Sequence, residues 1–251
     1  IRSRGLGDVY KRQGWERANW FAPKNYQLTE SDLNRDDTLW NKNHSAPLAD
    51  GRIVEKNSFR RSNYFDFVGQ ECRHVQSSVG ILDMSAFSKA SVEGSDSETW
   101  LNSILANKVP SKPGRIALCH MLSLNGGVRA EFTVYRKSRN SFYLVFSGAT
   151  ERHDWDYLNK LLPKNRSINI QNITTQKGVF VIAGPKSRSL LQKLTDTSLD
   201  NEHFPWLTGK TVNIGYGIAD ALRINFVGEL GWELHHPCLL YTSDAADETT
   251  G

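Results

Sequence analysis

The sequence of 251 residues has little cysteine, no long apolar run and no block of like charge, and each absence excludes a class of protein. Its three cysteines, Cys72, Cys119 and Cys238, show no paired spacing. That argues against a disulfide scaffold and for a reducing compartment. No apolar stretch approaches the ~18 residues that span a bilayer, so no membrane-crossing segment is expected. Lys and Arg number 31 against 27 Asp and Glu, a net charge of +4 spread along the chain. Without a basic run there is no nucleic-acid surface, only a weak preference for anionic small molecules. The seven histidines lack metal-ligand spacing, so no metal site is expected. His235 and His236 would point to opposite faces of a strand, and all seven read as solvated or core residues. Internal repeats and low-complexity tracts are also missing.

The two ends read differently from the middle. Asp8 to Gln13 can be encoded by GAT GTG TAT AAG AGA CAG. The reverse complement, read one base later, begins Cys-Leu-Leu-Tyr-Thr-Ser, which is Cys238 to Ser243. An inverted DNA repeat of this kind looks like a pair of translated sequencing adaptors. Residues 1–13 and 238–251 are therefore set aside as artefact and expected to have no fold of their own. The net charge is unaffected, because Arg2, Arg4, Lys11 and Arg12 leave together with Asp8, Asp244, Asp247 and Glu248. The remaining 14–237 reads as a piece of a longer product, large enough for a sizeable core.

Within that piece, 14–62 is a connector: aromatic at Trp15, Trp20 and Phe21, then polar and patternless through 27–52. Phe67, Val68, Cys72, Val75 and Val79 lie at helical spacing and predict an amphipathic helix over 63–78. A short strand follows near 89–93. Ser95-Asp96-Ser97-Glu98 is a capping-box pattern opening a helix that runs to Leu105. Residues 116–124 and 128–135 flank Asn125-Gly126 and read as a tight β-hairpin, with 141–146 as a third strand. Thr150 would cap a helix presenting Trp155, Leu158 and Leu162, stopped by Pro163. Strand 178–183 runs into Gly184-Pro185, a favoured helix start, and Leu190, Leu191 and Leu194 would line that helix. Strands are expected at 221–227 and 232–235. Hairpins mixed with single helices make this an α+β fold with an antiparallel sheet.

Two glycine-punctuated carboxylate motifs carry the chemistry. They are Asn125-Gly126-Gly127-Val128-Arg129-Ala130-Glu131-Phe132-Thr133 and Val227-Gly228-Glu229-Leu230-Gly231-Trp232-Glu233-Leu234. Alternation puts Val128, Ala130, Phe132 and Val134 on one face of the first strand. Arg129, Glu131, Thr133 and Tyr135 occupy the other, so Glu131 and Thr133 should stand together on a polar surface. By spacing alone Glu131 reads as a solvent-facing residue and Glu229 as an ordinary charged turn residue. A pterin ring, however, presents an amino group and a ring N–H side by side, which one carboxylate can accept bidentately. Glycines beside that carboxylate let a flat ring approach the backbone. A second carboxylate near the reactive nitrogens of a reduced folate could orient them or move a proton.

Together and in this order, the motifs resemble the folate-binding module of the glycine-cleavage T-protein family. The resemblance covers about residues 64–237 and includes Leu82-Asp83-Met84-Ser85 and Gly184-Pro185. It implies a folate-binding domain over 63–237, truncated at its C-terminal end. Glu131 would be the catalytic acid beside the folate nitrogens, Thr133 and the backbone at Val145 would line the site, and Glu229 would hold the pterin. Three departures stand out. Glu131 is one methylene longer than the family's usual Asp, Leu118 stands where relatives often have a folate-facing Tyr, and an Arg that follows the second motif lies beyond residue 237. Gly14 to Phe21 resembles the junction where a flavin domain passes into this module in dimethylglycine and sarcosine dehydrogenases. That implies a full-length chain in which an upstream FAD domain oxidises an amine and this part passes the one-carbon unit to tetrahydrofolate, in a mitochondrial matrix or bacterial cytoplasm. A stand-alone aminomethyltransferase, with a lipoyl carrier protein as partner, and a non-catalytic folate-binding or regulatory relative are the alternatives.

Overall fold

The computed structural model describes residues 6–12, 15–21, 64–165 and 167–238. The connector 27–52 and the tail from 239 onwards lie outside them. Two units are distinguished, 1–74 and 75–251. The first contains a two-stranded hairpin in which β1 (Leu6–Arg12) pairs antiparallel with β2 (Trp15–Phe21), Arg12 opposite Trp15 and Tyr10 opposite Arg17. The expected absence of structure at the amino end is thus not met over Leu6–Arg12. Val9 and Tyr10 are strand formers, and their register partners are Ala18 and Arg17.

Helix α1 (Phe65–Ser77) matches the predicted span, but none of its residues is buried. The second unit is built on two antiparallel sheets. One has the order β10-β11-β12-β9-β3, from β3 (Gly80–Asp83), β9 (Lys177–Ala183), β10 (Gly209–Ile214), β11 (Gly217–Leu222) and β12 (Gly231–Pro237). The other has the order β5-β6-β7-β4-β8, from β4 (Ser88–Glu93), β5 (Ile116–Leu122), β6 (Val128–Ser138), β7 (Ser141–Phe146) and β8 (Asn169–Asn172). Helices α2 (Ser97–Ile104) and α3 (Glu151–Lys160) accompany the second sheet and the short α4 (Ser187–Leu191) the first. The α+β class with antiparallel sheets holds.

Alternation along β6 does what the sequence predicts on one face. Ala130, Phe132 and Val134 join Trp100, Leu101, Phe142 and Leu158 in the core under α2 and α3. The other face is not the expected polar surface. Thr133 and Tyr135 are buried there, and Tyr135 belongs to a second cluster with Ile116, Tyr143, Val145 and Leu222 of β11. The two sheets pack face to face at this cluster, so a strand read as half-exposed is covered on both sides. A third cluster, around Trp232, Phe204 and Leu191, fills the far side of the first sheet.

Local details differ from expectation for identifiable reasons. The capping box does not form: Asp96 is the N-cap without a side-chain capping bond, Ser97 Oγ donates to Gly94 O at 2.8 Å, and Glu98 accepts from Arg136 at 2.8 Å. The β5–β6 turn is not a two-residue Asn-Gly turn. Gly126 N–H donates to Ser123 O and Ser123 N–H to Gly127 O, with only Gly126 at positive φ (78°), the type I turn plus glycine bulge. Leu191 is buried, but Leu190 and Leu194 are not, because α4 tightens after one turn into i→i+3 bonds. β11 stops at Leu222, so the strand expected at 221–227 is cut short and a loop leads into the second motif.

Polar groups cross the packed sheets. Tyr143 Oη lies 2.8 Å from His235 Nδ1, and His235 Nε2 lies 3.1 Å from Glu233 Oε2. A carboxylate only accepts, so Nε2 carries the proton and Nδ1 accepts from the tyrosine hydroxyl. Burial lowers the His235 pKa from 6.5 against the opposing pull of Glu233, and burial also raises that of Tyr143, so both stay neutral. Lys137 Nζ meets Asp220 Oδ2 at 2.9 Å, a second link between the sheets. Burial draws Lys89 down to about 8, and its ammonium is met by the carbonyls of Ser85, Phe87 and Thr174.

Tyr143→Phe should cost about 1–3 kcal/mol, because it strands a buried acceptor. The unfolded chain binds a proton at His235 more readily than the folded one, so this residue's stability contribution falls as pH drops below 6.5. Urea unfolding of the wild type and His235→Gln across that range checks this: the acid-side slope should be shallower in the variant.

Candidate functional site

Register brings the site together. Leu118 on β5 pairs with Thr133 on β6, Thr133 with Val145 on β7, and Val145 with Lys89 on β4. Directly opposed residues share a face, so these four make one row across the sheet. Thr133 and Val145 are buried and form its floor; Leu118 is 40% exposed at its rim. Glu131 stands one step nearer the hairpin, opposite His120. β7 ends at Phe146, whose partner is Phe132, so no β7 residue flanks Glu131 and its side chain stays 46% exposed.

Glu131 is not paired with Arg129, although simple alternation puts both on one face. Between Met121↔Ala130 and Leu122↔Val128 the register slips by a residue, a bulge at Arg129. Bulges re-aim side chains. The Arg129 guanidinium lies 3.7 Å from the centre of the Tyr157 ring and 2.9 Å from His153 Nε2, both on α3. Glu131 Oε2 instead meets His120 Nε2 at 3.0 Å. Asn107 Oδ1 accepts the His120 backbone N–H at 3.2 Å and lies 3.4 Å from Nδ1 of the ring.

A loop from Arg223 to Leu230 joins β11 to β12 and carries the first half of the second motif. Asn225 shapes it: Nδ2 donates to Glu229 O at 3.1 Å, and Oδ1 accepts from the Val227 N–H at 3.3 Å. Gly228 has φ 77°, the left-handed region, with open space where a Cβ would point. Gly231 is needed for another reason, since a Cβ would come 2.7 Å from Ile182 O and 2.8 Å from Asn225 Nδ2. Glu229 is half-buried, and among the described residues its carboxylate has no hydrogen-bond or ion-pair partner. Ile224, at the loop's start, packs against the Val145 cluster.

The structure therefore joins Thr133, Val145 and Glu131 on one sheet, while Glu229 sits on a loop of the other. No hydrogen bond or ion pair links the two carboxylates among the described residues. The Gly215-Tyr216-Gly217 turn joins antiparallel β10 and β11, not the strand and helix of a dinucleotide fingerprint. A surface concavity of about 340 Å³ lies elsewhere, lined by Ser95, Glu98, Thr99, Arg136, Arg139 and Asn140. Arg136 is consumed there by Glu98 and by the carbonyls of Pro110, Ser111, Ser138 and Arg139, a structural use.

His120 is the neighbour of Glu131 that composition and spacing passed over. Hairpin register would have found it: a two-residue turn at Asn125-Gly126 puts His120 opposite Glu131, and the observed bulge restores that pairing after a longer loop.

The family model described as "GCVT N-terminal domain" matches residues 6–240. The chain belongs to this family. Mitochondrial dimethylglycine dehydrogenase from Mus musculus is 41% identical over 180 residues, covering 71% of this chain and 21% of that protein. Mitochondrial sarcosine dehydrogenase from Homo sapiens is 29% identical over 249 residues, 93% of this chain and 27% of that protein. The chain thus spans about a quarter or less of the length of several such relatives. In fold it is similar to the glycine cleavage system aminomethyltransferase T from Bartonella henselae, with a TM-score of 0.59 at 19% identity over 70% of this chain and 47% of that one. Among the described residues no helix is long and apolar enough to cross a membrane, and no cluster of His, Cys, Asp and Glu could hold a metal ion.

Gly231→Ala should destabilise this GCVT-family domain by about 1–3 kcal/mol, as overpacking against backbone does. Gly228→Ala meets no atoms and should cost less, only its positive-φ strain. Urea unfolding of both variants checks the order.

Proposed function

We propose that this chain is the reduced-folate-binding portion of an N-methyl amine dehydrogenase of the dimethylglycine or sarcosine type. The observation that carries the reading is Glu229, a half-buried carboxylate with no partner among the described residues, in a loop opened by Gly228. A flat ring bearing adjacent N–H donors suits such an acceptor, because a partly buried carboxylate gains most from paired donors. Thr133 and the Val145 segment supply a buried floor, and Glu131 an exposed acid at the floor's open end. The donor set present therefore fits a reduced folate.

When bound, tetrahydrofolate supplies the nucleophilic nitrogen that accepts a one-carbon unit. What this chain adds is binding and proton handling. Glu229 holds the ring edge, Thr133 and Val145 exclude water beneath it, and Glu131 takes up or returns a proton where charge changes. The amine, the flavin that oxidises it and the upstream domain carrying that flavin belong to the rest of a longer chain. A mitochondrial or bacterial setting accords with the names of the relatives. The dehydrogenase relatives favour this reading over a stand-alone aminomethyltransferase or a non-catalytic relative.

Two substitutions separate the roles. Glu229→Gln removes a charge-assisted pair and should weaken tetrahydrofolate binding roughly 10- to 100-fold by calorimetry on this chain. Glu131→Gln should leave affinity nearly unchanged. In the full-length enzyme it should lower one-carbon capture on the order of 10²-fold and release more formaldehyde while flavin reduction continues. Unchanged capture in Glu131→Gln would remove that residue from the mechanism, and tight flavin adenine dinucleotide binding without folate binding would overturn the assignment.

A further inference from the structure

His120 stands outside every role given so far, yet it is the partner of Glu131. Its ring lies between two oxygens: Glu131 Oε2 at 3.0 Å from Nε2 and Asn107 Oδ1 at 3.4 Å from Nδ1. The identity of the Asn107 atom is settled by a third contact. The His120 backbone N–H can only donate, so the atom 3.2 Å from it must be the amide oxygen and not the nitrogen. Asn107 is thereby fixed as an acceptor toward the ring as well. Ala106 N–H, next in the chain, donates to His120 O at 2.8 Å and ties the 106–107 segment to this strand.

These contacts determine what the ring does. A carboxylate oxygen accepts, so Nε2 carries a hydrogen toward Glu131. The bond survives protonation of the ring, because Nε2–H is present in the Nε2–H tautomer and in the imidazolium alike. Nδ1 gains a bond to Asn107 only when the ring is protonated. The Glu131 carboxylate is thus tied at Oε2 in both ring states, while Oε1 has no partner among the described residues. This tether offsets the extra flexibility of Glu relative to Asp: a longer side chain can still be held in one rotamer by a neighbour that bonds one of its two oxygens.

We propose that His120 is the positioning residue of the Glu131 carboxylate, holding Oε2 so that Oε1 is presented to the ligand, with Asn107 anchoring the His120 backbone. The proposal rests on the folate reading above and deepens it. A merely structural histidine would be indifferent to the ligand, whereas a positioning residue senses it through Glu131.

The experiment has two arms. In the first, tetrahydrofolate is titrated into the 251-residue chain while the imidazole nitrogens of His120 are followed by NMR. The ring signals should move in step with saturation, and in Glu131→Gln the movement should be lost while the ligand still binds. In the second, His120→Ala and His120→Gln are compared in the full-length enzyme. The alanine variant should keep its tetrahydrofolate affinity within about threefold and lose about tenfold in one-carbon capture, because misplacing a catalytic group costs the transfer step more than binding. The glutamine variant, whose side-chain amide can still donate to Oε2, should recover most of that loss. Ligand binding with unmoved His120 signals would overturn the proposal, as would unchanged capture in His120→Ala or a glutamine variant no better than alanine. No tetrahydrofolate binding to the wild-type chain would instead overturn the folate reading on which it stands.

Discussion

The hydrogen bond between the Tyr143 hydroxyl and His235 Nδ1 is the contact on which the second unit's arrangement depends. It joins β7 of one sheet to β12 of the other at a fully buried point, and it continues through the ring to Glu233. Apolar packing around Tyr135, Val145 and Leu222 supplies non-directional burial, which would tolerate the sheets sliding over one another. The polar chain would not. Any slip leaves a buried hydroxyl, an imidazole and a carboxylate without partners, and each such loss costs more than a made bond is worth. Tyr143 sits one row away from Val145 and Thr133, so the same contact that sets how the sheets face each other also sets the floor of the candidate site.

The exposure of Glu131 follows from strand length. β6 runs on beyond Phe132, the last residue that β7 covers, and the covered rows are buried while the next is open. Position, not charge, leaves this acid at the rim. The bulge at Arg129 then removes the cation that alternation would have set beside it, sending the guanidinium to Tyr157 and His153. An imidazole takes its place as the neighbour of Glu131.

Much of this was legible in the sequence where one rule dominates. The core face of β6 at Ala130, Phe132 and Val134, and the helix ahead of Pro163, follow simple periodicity. Periodicity failed where a strand is covered on both faces, since Tyr135 and Tyr143 carry polar tips that fit either a wet or a dry surface. β8 (Asn-Ile-Gln-Asn) and β10 (Gly-Lys-Thr-Val-Asn-Ile) are too polar to show a period, and pairing with neighbours alone makes them strands. The strand expected at 221–227 ends at Leu222, although Ile224, Phe226 and Val227 are strand formers. The Asn225 side chain bonds the backbone of Val227 and Glu229 and bends the chain instead. Of the site, the carboxylates and the floor were visible as motif positions; His120 was visible only through register, which composition does not reveal.

The two acids are held in opposite ways, and the contrast bears on their proposed division of labour. Glu131 stands on a paired strand with one oxygen tied, so its carboxylate is in place before any ligand arrives. Glu229 stands on a loop whose backbone is fixed by Asn225 and by close packing at Gly231, while its carboxylate is left unpaired. A group that acts in a transition state gains from being organised in advance, because no reorganisation is then needed when charge moves. A group that only grips a ligand can settle onto it, provided nothing in the protein competes for its oxygens. Each acid has the support that its proposed task requires, and exchanging those supports would serve neither.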